Sequence, residues 1–311
     1  MSKKSNKKLA ALPPLGLLLI LLLINYYKGS TPDRPSADAP GPEPMREVAA
    51  PSAWEPRGEI IRGDTSLLEL PRLSGGNHNY FITHRASGEV NYSLEYDTER
   101  RHARWVCFRF DPRTSPTAEI GRTNAWAWDP DLPARYSTET WFRGSGYSRG
   151  HLVASGDRQY SVEANEQTFY YSNMSPQLQS HNAGIWARLE QRVQKWGRKG
   201  SMHDVLYVAK GGTIADGQIE PERIKGMMVI PRYYWMALLL EREGQYHSIA
   251  FLTEHREYER SEHIRDLALS VNALEQFTGL DFFYHLPDEI EEAVEAEDPQ
   301  ARLARQLWWS H

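Results

Sequence analysis

Five apolar runs, each as long as a typical β-strand, recur between residues 90 and 252 of this chain. They cover residues 90–96, 103–110, 168–172, 205–209 and 248–252. Runs of this length that are rich in aromatic and β-branched residues favour strands. Residues 231–240 fit a strand or a helix by periodicity, and Tyr233, Tyr234 and Trp235 favour a strand. Because helical patterns are mixed with these runs, the sequence predicts an α+β fold.

One helix is predicted to begin around Asn182. Its apolar positions fall in one stripe at about 100° per residue, and they are Ile185, Trp186, Leu189, Val193 and Trp196. Asn182 lies on the same stripe and Glu190 lies at its edge. An inward amide needs a partner, and its carbonyl oxygen suits a hard cation such as Mg²⁺, with Glu190 holding metal-bound water. The alternative is that Asn182 caps the helix.

Composition divides the chain into four segments. Residues 1–28 hold five lysines and an apolar stretch, which predicts an export signal or a membrane anchor. Residues 29–57 are rich in proline and alanine and form a predicted linker. The predicted globular domain covers residues 58–286. Residues 287–311 form an acidic tail, for which a surface amphipathic helix and a disordered segment both remain open.

The net charge excludes one mode of nucleic-acid binding, and the cysteine content excludes an intrachain disulfide. The net charge of -5 excludes binding of nucleic acid through a wholly basic surface, so phosphate recognition requires a local basic cleft or a metal ion. Cys107 is the only cysteine, so an intrachain disulfide is excluded. Since Cys107 lies in an apolar run, we expect a buried, unreactive thiol.

A glycine-rich loop precedes His151. Gly144, Gly146 and Gly150 permit tight turns before His151, and this setting suits a rigid loop that presents Arg149 and His151. A positioned histidine accepts a proton from water near neutral pH. A structural or surface histidine is the other interpretation, and local pattern alone leaves both open.

The ordered motifs resemble a known family. Residues 142–152, 168–177 and 182–190 are similar to the DNA/RNA non-specific endonucleases, whose hallmark is Asp-Arg-Gly-His. The spacing of that hallmark to two asparagines and a glutamate is matched by His151, Asn173, Asn182 and Glu190. Residues 230–235 and 274–283 resemble later segments of the family.

The resemblance implies a fold and a set of roles. It implies a mixed or antiparallel central sheet with flanking helices and a ββα-metal motif. His151 would be the general base and Asn182 the direct ligand of Mg²⁺, with Mn²⁺ or another divalent cation as an alternative. Glu190 would aid the metal's water shell, and Asn173 would support the site.

Two arginines are further candidates under the same resemblance. Arg149 would contact phosphate or brace the loop, and a salt bridge within the domain is its structural alternative. Arg122 is a candidate for stabilising the transition state. The remaining histidines, including His181 and His203, are expected at the surface and not as metal ligands.

Ser148 departs from the family pattern, because the hallmark has aspartate at this position. That acid supports the metal's waters or the loop in the family. Its loss is expected to retune metal affinity or rate, and it leaves a degenerate, inactive site as an alternative.

The resemblance implies phosphodiester hydrolysis of DNA and RNA with little sequence preference and with 5′-phosphate products. Metal-bound water would protonate the departing 3′ oxygen. A phosphodiesterase of small substrates and a non-catalytic nucleic-acid-binding protein are the alternatives. The protein is expected to be exported to the periplasm or cell surface, either secreted or held at the membrane by an uncleaved N-terminal segment. A homodimer is a further expectation.

Overall fold

The computed structural model of the protein describes residues 66–118 and 120–310. The predicted N-terminal segment 1–28 and linker 29–57 lie outside these residues. Among the described residues, no helix is long and apolar enough to span a membrane.

A seven-stranded antiparallel sheet forms the centre of the domain. Its strands are β1 (Asn79–Ala86), β2 (Glu89–Asp97), β3 (His102–Phe110), β6 (Val205–Gly212), β7 (Tyr233–Arg242), β8 (Gln245–Glu254) and β9 (Ala268–Leu269), and they lie side by side in this order. Four of the five apolar runs and the ambiguous segment 231–240 are therefore strands, as predicted. The α+β class is confirmed.

The two faces of this sheet carry separate hydrophobic cores. Along β3, Val106 and Phe108 pack on one side and Trp105 and Cys107 on the other, because successive side chains of a strand point to opposite faces. Cys107 is fully buried, as predicted, and burial raises the pKa of its thiol.

Six helices flank the sheet in the described part of the chain. They are α1 (Val162–Gln167), α2 (Gln179–His181), α3 (Ala187–Gly197), α4 (Val271–Thr278), α5 (Asp288–Glu295) and α6 (Arg302–Trp309). The apolar stripe of α3 covers the same face as Phe108, whereas Leu274 of α4 covers the opposite face. Trp308 of α6 is fully buried, with its ring centroid 5.1 Å from that of Trp196. Residues 288–309 of the acidic segment thus include two packed helices.

The prediction of a strand at residues 168–172 is wrong. The segment ends α1 and enters a 3₁₀ turn, Tyr171–Asn173, and the strand β5 (Met174–Gln177) begins only after it. Thr168 donates its hydroxyl to the Asn165 carbonyl, and the Phe169 amide donates to the Glu166 carbonyl. These local hydrogen bonds outweigh the β propensity of the Phe-Tyr-Tyr run.

A second, two-stranded sheet positions the candidate site. Strand β4 (Ser148–His151) pairs antiparallel with β5, and His151 lies opposite Met174. Helices α2 and α3 follow β5, so two strands and a helix form a ββα unit. A side chain at Gly150 would collide with that of Gln177, which explains the glycine before His151.

Candidate active site

The helix of the ββα unit is distorted where it carries Asn182. Residues Asn182–Trp186 form a π-helical turn between α2 and α3, and Gly184 has non-helical dihedrals of φ -98° and ψ -108°. Turns of this kind are frequent at functional sites. The helix begins at Gln179, slightly before the predicted start, and the distortion was not visible in the apolar pattern.

His151, Asn182 and Glu190 line one cavity, with a volume of 280 Å³. The two arginine candidates, Arg122 and Arg149, line it as well. The structure therefore brings together four of the five principal site residues, and the further candidate Arg122 lies with them. Asn173 is the predicted site residue that does not line this cavity.

His151 is buried in an aromatic setting, with 8% of its surface exposed. Its ring centroid lies 5.0 Å from that of Phe169 and 5.5 Å from that of Trp126. Burial, reinforced by the positive charge of Arg122, lowers the pKa of His151 to about 3. The imidazole is therefore neutral at physiological pH, and a neutral ring keeps one nitrogen lone pair to accept a proton.

Glu190 presents a buried carboxylate oxygen to the same region. Its Oε1 atom has no hydrogen-bond partner among the described residues. Burial raises the pKa of Glu190 to about 8, and the nearby charge of Lys210 opposes that rise. A buried carboxylate oxygen without a partner is costly, so it favours a bound cation or a proton.

This donor set fits a hard divalent cation. Mg²⁺ is bound by few protein oxygens and keeps several waters. The Asn182 amide oxygen would be its direct ligand, and the unpartnered Glu190 oxygen would hold its waters. The oxygen donors and the neutral His151 agree with the predicted magnesium site.

Arg149 lies over an aromatic ring at the mouth of the site. Its guanidinium carbon is 3.9 Å from the centre of the Trp126 ring, and its Nη1 donates to the Tyr171 hydroxyl at 3.2 Å. Within the described residues Arg149 is in no ion pair, so the salt-bridge alternative has no support. These contacts fix Arg149 while leaving other donors of its guanidinium group for a phosphate.

A larger outer cavity of 660 Å³ opens beside the first. The two cavities share Arg122, Arg149 and Asn182. Arg143 and Ser148 also line the outer cavity, and the Ser148 hydroxyl donates to Gln179 Oε1 at 2.5 Å. Ser148 thus stands at the entrance to the site, where the family hallmark places an acid.

Asn173 is fully buried behind the site. Its Oδ1 accepts from the Val153 amide at 2.8 Å, and its Nδ2 donates to the carbonyls of Val153 and Thr168. All of these contacts are with the backbone. The geometry gives Asn173 a positioning role for the chain that leaves His151.

A buried ion pair beneath the site was not found by sequence reasoning. Lys210 Nζ lies 2.6 Å from Asp157 Oδ2, and both side chains are fully buried. Asp157 also accepts from the Ala154 amide and from Gln194 of α3. The pair therefore joins the central sheet, the loop after His151 and α3. Lys210 and Asp157 are far apart in sequence, and no local motif marks them.

A second group missed by sequence reasoning contains His84, Asp129 and Asp131, whose potential ligand atoms lie within 4.8 Å of one another. His84 Nε2 is 3.0 Å from Asp129 Oδ2, and His84 Nδ1 is 3.6 Å from Asp131 Oδ2. Asp129 also accepts from the Ser172 hydroxyl at 2.6 Å. Both ring nitrogens of His84 thus face carboxylates. Through its hydrogen bond with Asp129, Ser172 is held by this group, and Ser172 is the neighbour of Asn173.

The prediction that His181 and His203 lie at the surface is wrong. His181 is fully buried, with Nε2 3.1 Å from Thr253 Oγ1, and burial lowers its pKa to about 3. His203 is buried with Nε2 2.9 Å from the Trp196 carbonyl oxygen. The amphipathic pattern was too short at these positions to show that both rings face inward.

Comparisons with known proteins show the family of this chain. Residues 79–289 match the model of the DNA/RNA non-specific endonuclease family. A nuclease of Nostoc sp. is 28% identical over 66% of this chain and 76% of its own length. Mitochondrial endonuclease G of Bos taurus is 27% identical over 76% of this chain and 88% of its own. The mitochondrial nuclease EXOG of Xenopus laevis is 27% identical, and the match spans 58% of its length.

The fold has also been seen before. A chain in the crystal structure of the EndoG/EndoGI complex superposes with a TM-score of 0.61 at 22% identity, over 73% of this chain and 94% of that chain. The antiparallel sheet, its flanking helices and the ββα unit therefore form the endonuclease G fold. Because the family model covers more than half of the sequence, the chain belongs to the DNA/RNA non-specific endonuclease family, a family of nucleases that hydrolyse phosphodiester bonds.

Proposed function

We propose that this protein is a divalent-metal-dependent endonuclease that cleaves DNA and RNA with little sequence preference and leaves 5′-phosphates. The observation that carries the proposal is the single cavity shared by a neutral His151, the amide of Asn182 and Glu190, whose Oε1 atom has no hydrogen-bond partner among the described residues. Family membership supplies the reaction class.

The residues of the cavity have separate tasks in this reaction. His151 accepts a proton from the attacking water, for which a neutral imidazole is required. Arg149 and Arg122 bind the phosphate oxygens, and the ring of Trp126 holds Arg149 in place. When bound, Mg²⁺ supplies Lewis acidity toward the scissile phosphate. Contacts to phosphate rather than to base edges predict weak sequence preference.

The burial of His151 has a mechanistic consequence. Because burial lowers its pKa to about 3, the base stays unprotonated throughout the neutral and mildly acidic range. The rings of Trp126 and Phe169 flank the imidazole, and apolar walls of this kind strengthen electrostatic interactions with a phosphate bound beside them.

A cleavage assay tests the proposal. The full chain is incubated with supercoiled plasmid and with a long RNA, each with Mg²⁺ and with EDTA. We expect nicking and then fragmentation with Mg²⁺, none with EDTA, and fragments that a ligase joins without prior kinase treatment. Cleavage that persists in EDTA would contradict metal dependence, and 5′-hydroxyl ends would contradict the chemistry.

The same assay separates the two alternatives. A phosphodiesterase of small substrates would hydrolyse a chromogenic phosphodiester faster than plasmid DNA. A non-catalytic binding protein would shift the mobility of the plasmid without cleaving it. The proposal requires polymer cleavage that exceeds hydrolysis of the small diester.

We also propose that the protein is exported. Support comes from the lysines at positions 3, 4, 7 and 8 followed by the apolar stretch, both in the segment 1–28. Expression of the full chain, cell fractionation and N-terminal sequencing test this proposal. A mature N-terminus beyond residue 28 would indicate a cleaved signal, an intact one in the membrane fraction would indicate an anchor, and recovery only from the cytosol would contradict export.

A further inference from the structure

A basic groove lies beside the active site and is separate from the cavity of His151. It has a volume of 550 Å³ and is lined by four cationic side chains and one carboxylate. The cations are Arg188, Arg192, Lys195 and Arg265, and the carboxylate is Asp266. An adjoining cavity of 390 Å³ adds Arg302 and Arg305 of α6 and no carboxylate. This concentration of positive charge stands in a chain whose net charge is -5.

Three of the cations lie along one face of a helix. Arg188, Arg192 and Lys195 of α3 follow one another at spacings of four and three residues, so they share a stripe. That stripe is about 10 Å long at a rise of about 1.5 Å per residue. A duplex strand advances about 3.4 Å per nucleotide, so the stripe spans about three nucleotides.

The groove adjoins the active site at a shared residue. Gln191 lines both the groove and the cavity that holds His151 and Glu190. Glu190 lies on one side of Gln191 around α3, and the stripe of Arg188 and Arg192 lies on the other. A strand that leaves the active site along α3 therefore enters the groove.

One residue that lines the groove, Trp309, lies outside the family match, which ends at residue 289. Helix α6 contributes Trp309, and the guanidinium groups of Arg265 and Arg192 lie 5.2 and 5.7 Å from the centre of its ring. Trp308 anchors α6 in the core. The aromatic contacts and this anchor hold the arginines of the groove on a fixed support.

We infer that this groove binds the phosphate backbone of the nucleic acid some nucleotides away from the bond that is cleaved. This inference rests on the proposed function for the identity of the ligand. Six cations along a path that adjoins the active site match a polyanion of regular charge spacing. Contacts from such side chains to phosphates position a strand without reading its sequence. The groove lengthens the bound segment and raises affinity for long substrates.

Binding measurements without cleavage test the inference. Lys195→Gln and Arg265→Gln are combined in the full chain, and affinity for a labelled 40-base-pair duplex is measured by fluorescence anisotropy in EDTA. We expect the Kd to rise about tenfold near 0.1 M salt. The slope of log Kd against log salt should fall by about 0.9 for each phosphate that the variant no longer neutralises. With a duplex too short to reach from the active site into the groove, the rise in Kd should be much smaller.

A matched control removes two arginines elsewhere. Arg72→Gln with Arg242→Gln changes the net charge by the same amount; Arg72 pairs with Asp281, and Arg242 donates to the Ser201 carbonyl. If the groove variant binds the long duplex as tightly as this control does, the groove is not a binding site. An equal weakening with short and long duplexes would overturn the inference as well. Because the readout is binding, a failure of wild-type cleavage would contradict the proposed function and leave this test intact.

Discussion

Asn173 holds Val153 from both sides, accepting from its amide at 2.8 Å and donating to its carbonyl at 2.9 Å. Val153 follows His151 by two residues, so the clamp fixes the chain where it leaves β4. The Leu152 amide also donates to the Asn173 carbonyl at 3.1 Å. The asparagine therefore acts on the position of His151 through the backbone and not through the substrate.

Replacing Asn173 tests this clamp. Asn173→Ala leaves the Val153 amide and two carbonyls without partners, so we expect a loss of about 3 kcal/mol in the free energy of unfolding, measured by urea denaturation. Asn173→Asp keeps the shape but sets a carboxylate oxygen against the carbonyls of Val153 and Thr168. It should therefore fail to rescue stability or activity. Wild-type stability in either variant would show that the clamp is dispensable.

His151→Ala should slow cleavage strongly and leave the fold intact. Loss of a general base costs about 10²- to 10⁴-fold in rate, so plasmid nicking should fall by that factor while the circular dichroism spectrum is unchanged. His78→Ala is the matched control, because His78 is an exposed partner of Glu99. Cleavage by His151→Ala at the control's rate would remove His151 from the mechanism.

Most of the sheet could be predicted from the sequence, because its strands are apolar runs of strand length. The run at 168–172 was misleading for a physical reason. Its aromatic residues favour a strand, but the Thr168 hydroxyl donates to the Asn165 carbonyl, and α1 ends there instead. The buried rings of His181 and His203 were missed because a histidine has no fixed place in a hydrophobic pattern.

The candidate site could be predicted only through the spacing of His151, Asn182 and Glu190. Its supporting groups could not, because they join distant segments. Lys210 and Asp157 meet only when β6 lies beside the loop after His151. His84 and Asp129 meet through β1 and the loop before β4. Such pairs are set by tertiary packing, which leaves no periodic trace in one sequence.

We expect Glu190 to release a proton when the metal ion binds. Burial raises its pKa to about 8, so its carboxyl group is protonated at pH 7 in the metal-free protein. A cation beside it favours the charged form, so affinity for Mg²⁺ should rise with pH up to about 8. Calorimetry in two buffers of different ionisation enthalpy should show about one proton released per ion at pH 7.

Glu190→Gln should show almost no such release, whereas Glu289→Gln, an exposed glutamate of α5, should behave as wild type. Equal proton release by Glu190→Gln and wild type would mean that another group titrates on metal binding.

Ser148→Asp should restore the acid of the family hallmark. Ser148 donates to Gln179 Oε1, and a rotated Gln179 amide would donate to an aspartate instead. A carboxylate at this entrance would support the metal's waters, so the Mg²⁺ concentration for half-maximal cleavage should fall roughly tenfold. Ser148→Asn, which is similar in shape and uncharged, is the control. The prediction fails if the aspartate and asparagine variants require the same Mg²⁺ concentration.

The acidic segment should make the fold less stable at alkaline pH. Glu295 is buried, its Oε1 has no partner among the described residues, and burial beside Glu275 raises its pKa to about 9. A carboxyl group whose pKa is higher in the folded state binds its proton more tightly there. The resulting stability is complete below the unfolded pKa, near 4.5, and is lost as the pH rises toward about 9.

Glu295→Gln removes this titration while keeping the shape of the side chain. The Tm of wild type should fall more than that of the variant between pH 5 and pH 9, by several degrees at roughly 2–4 °C per kcal/mol. Glu289→Gln serves again as the exposed control on the same helix. Thermal unfolding followed by circular dichroism at pH 5, 7 and 9 measures the difference. Parallel curves for wild type and Glu295→Gln would show that Glu295 is already ionised in the folded protein at neutral pH.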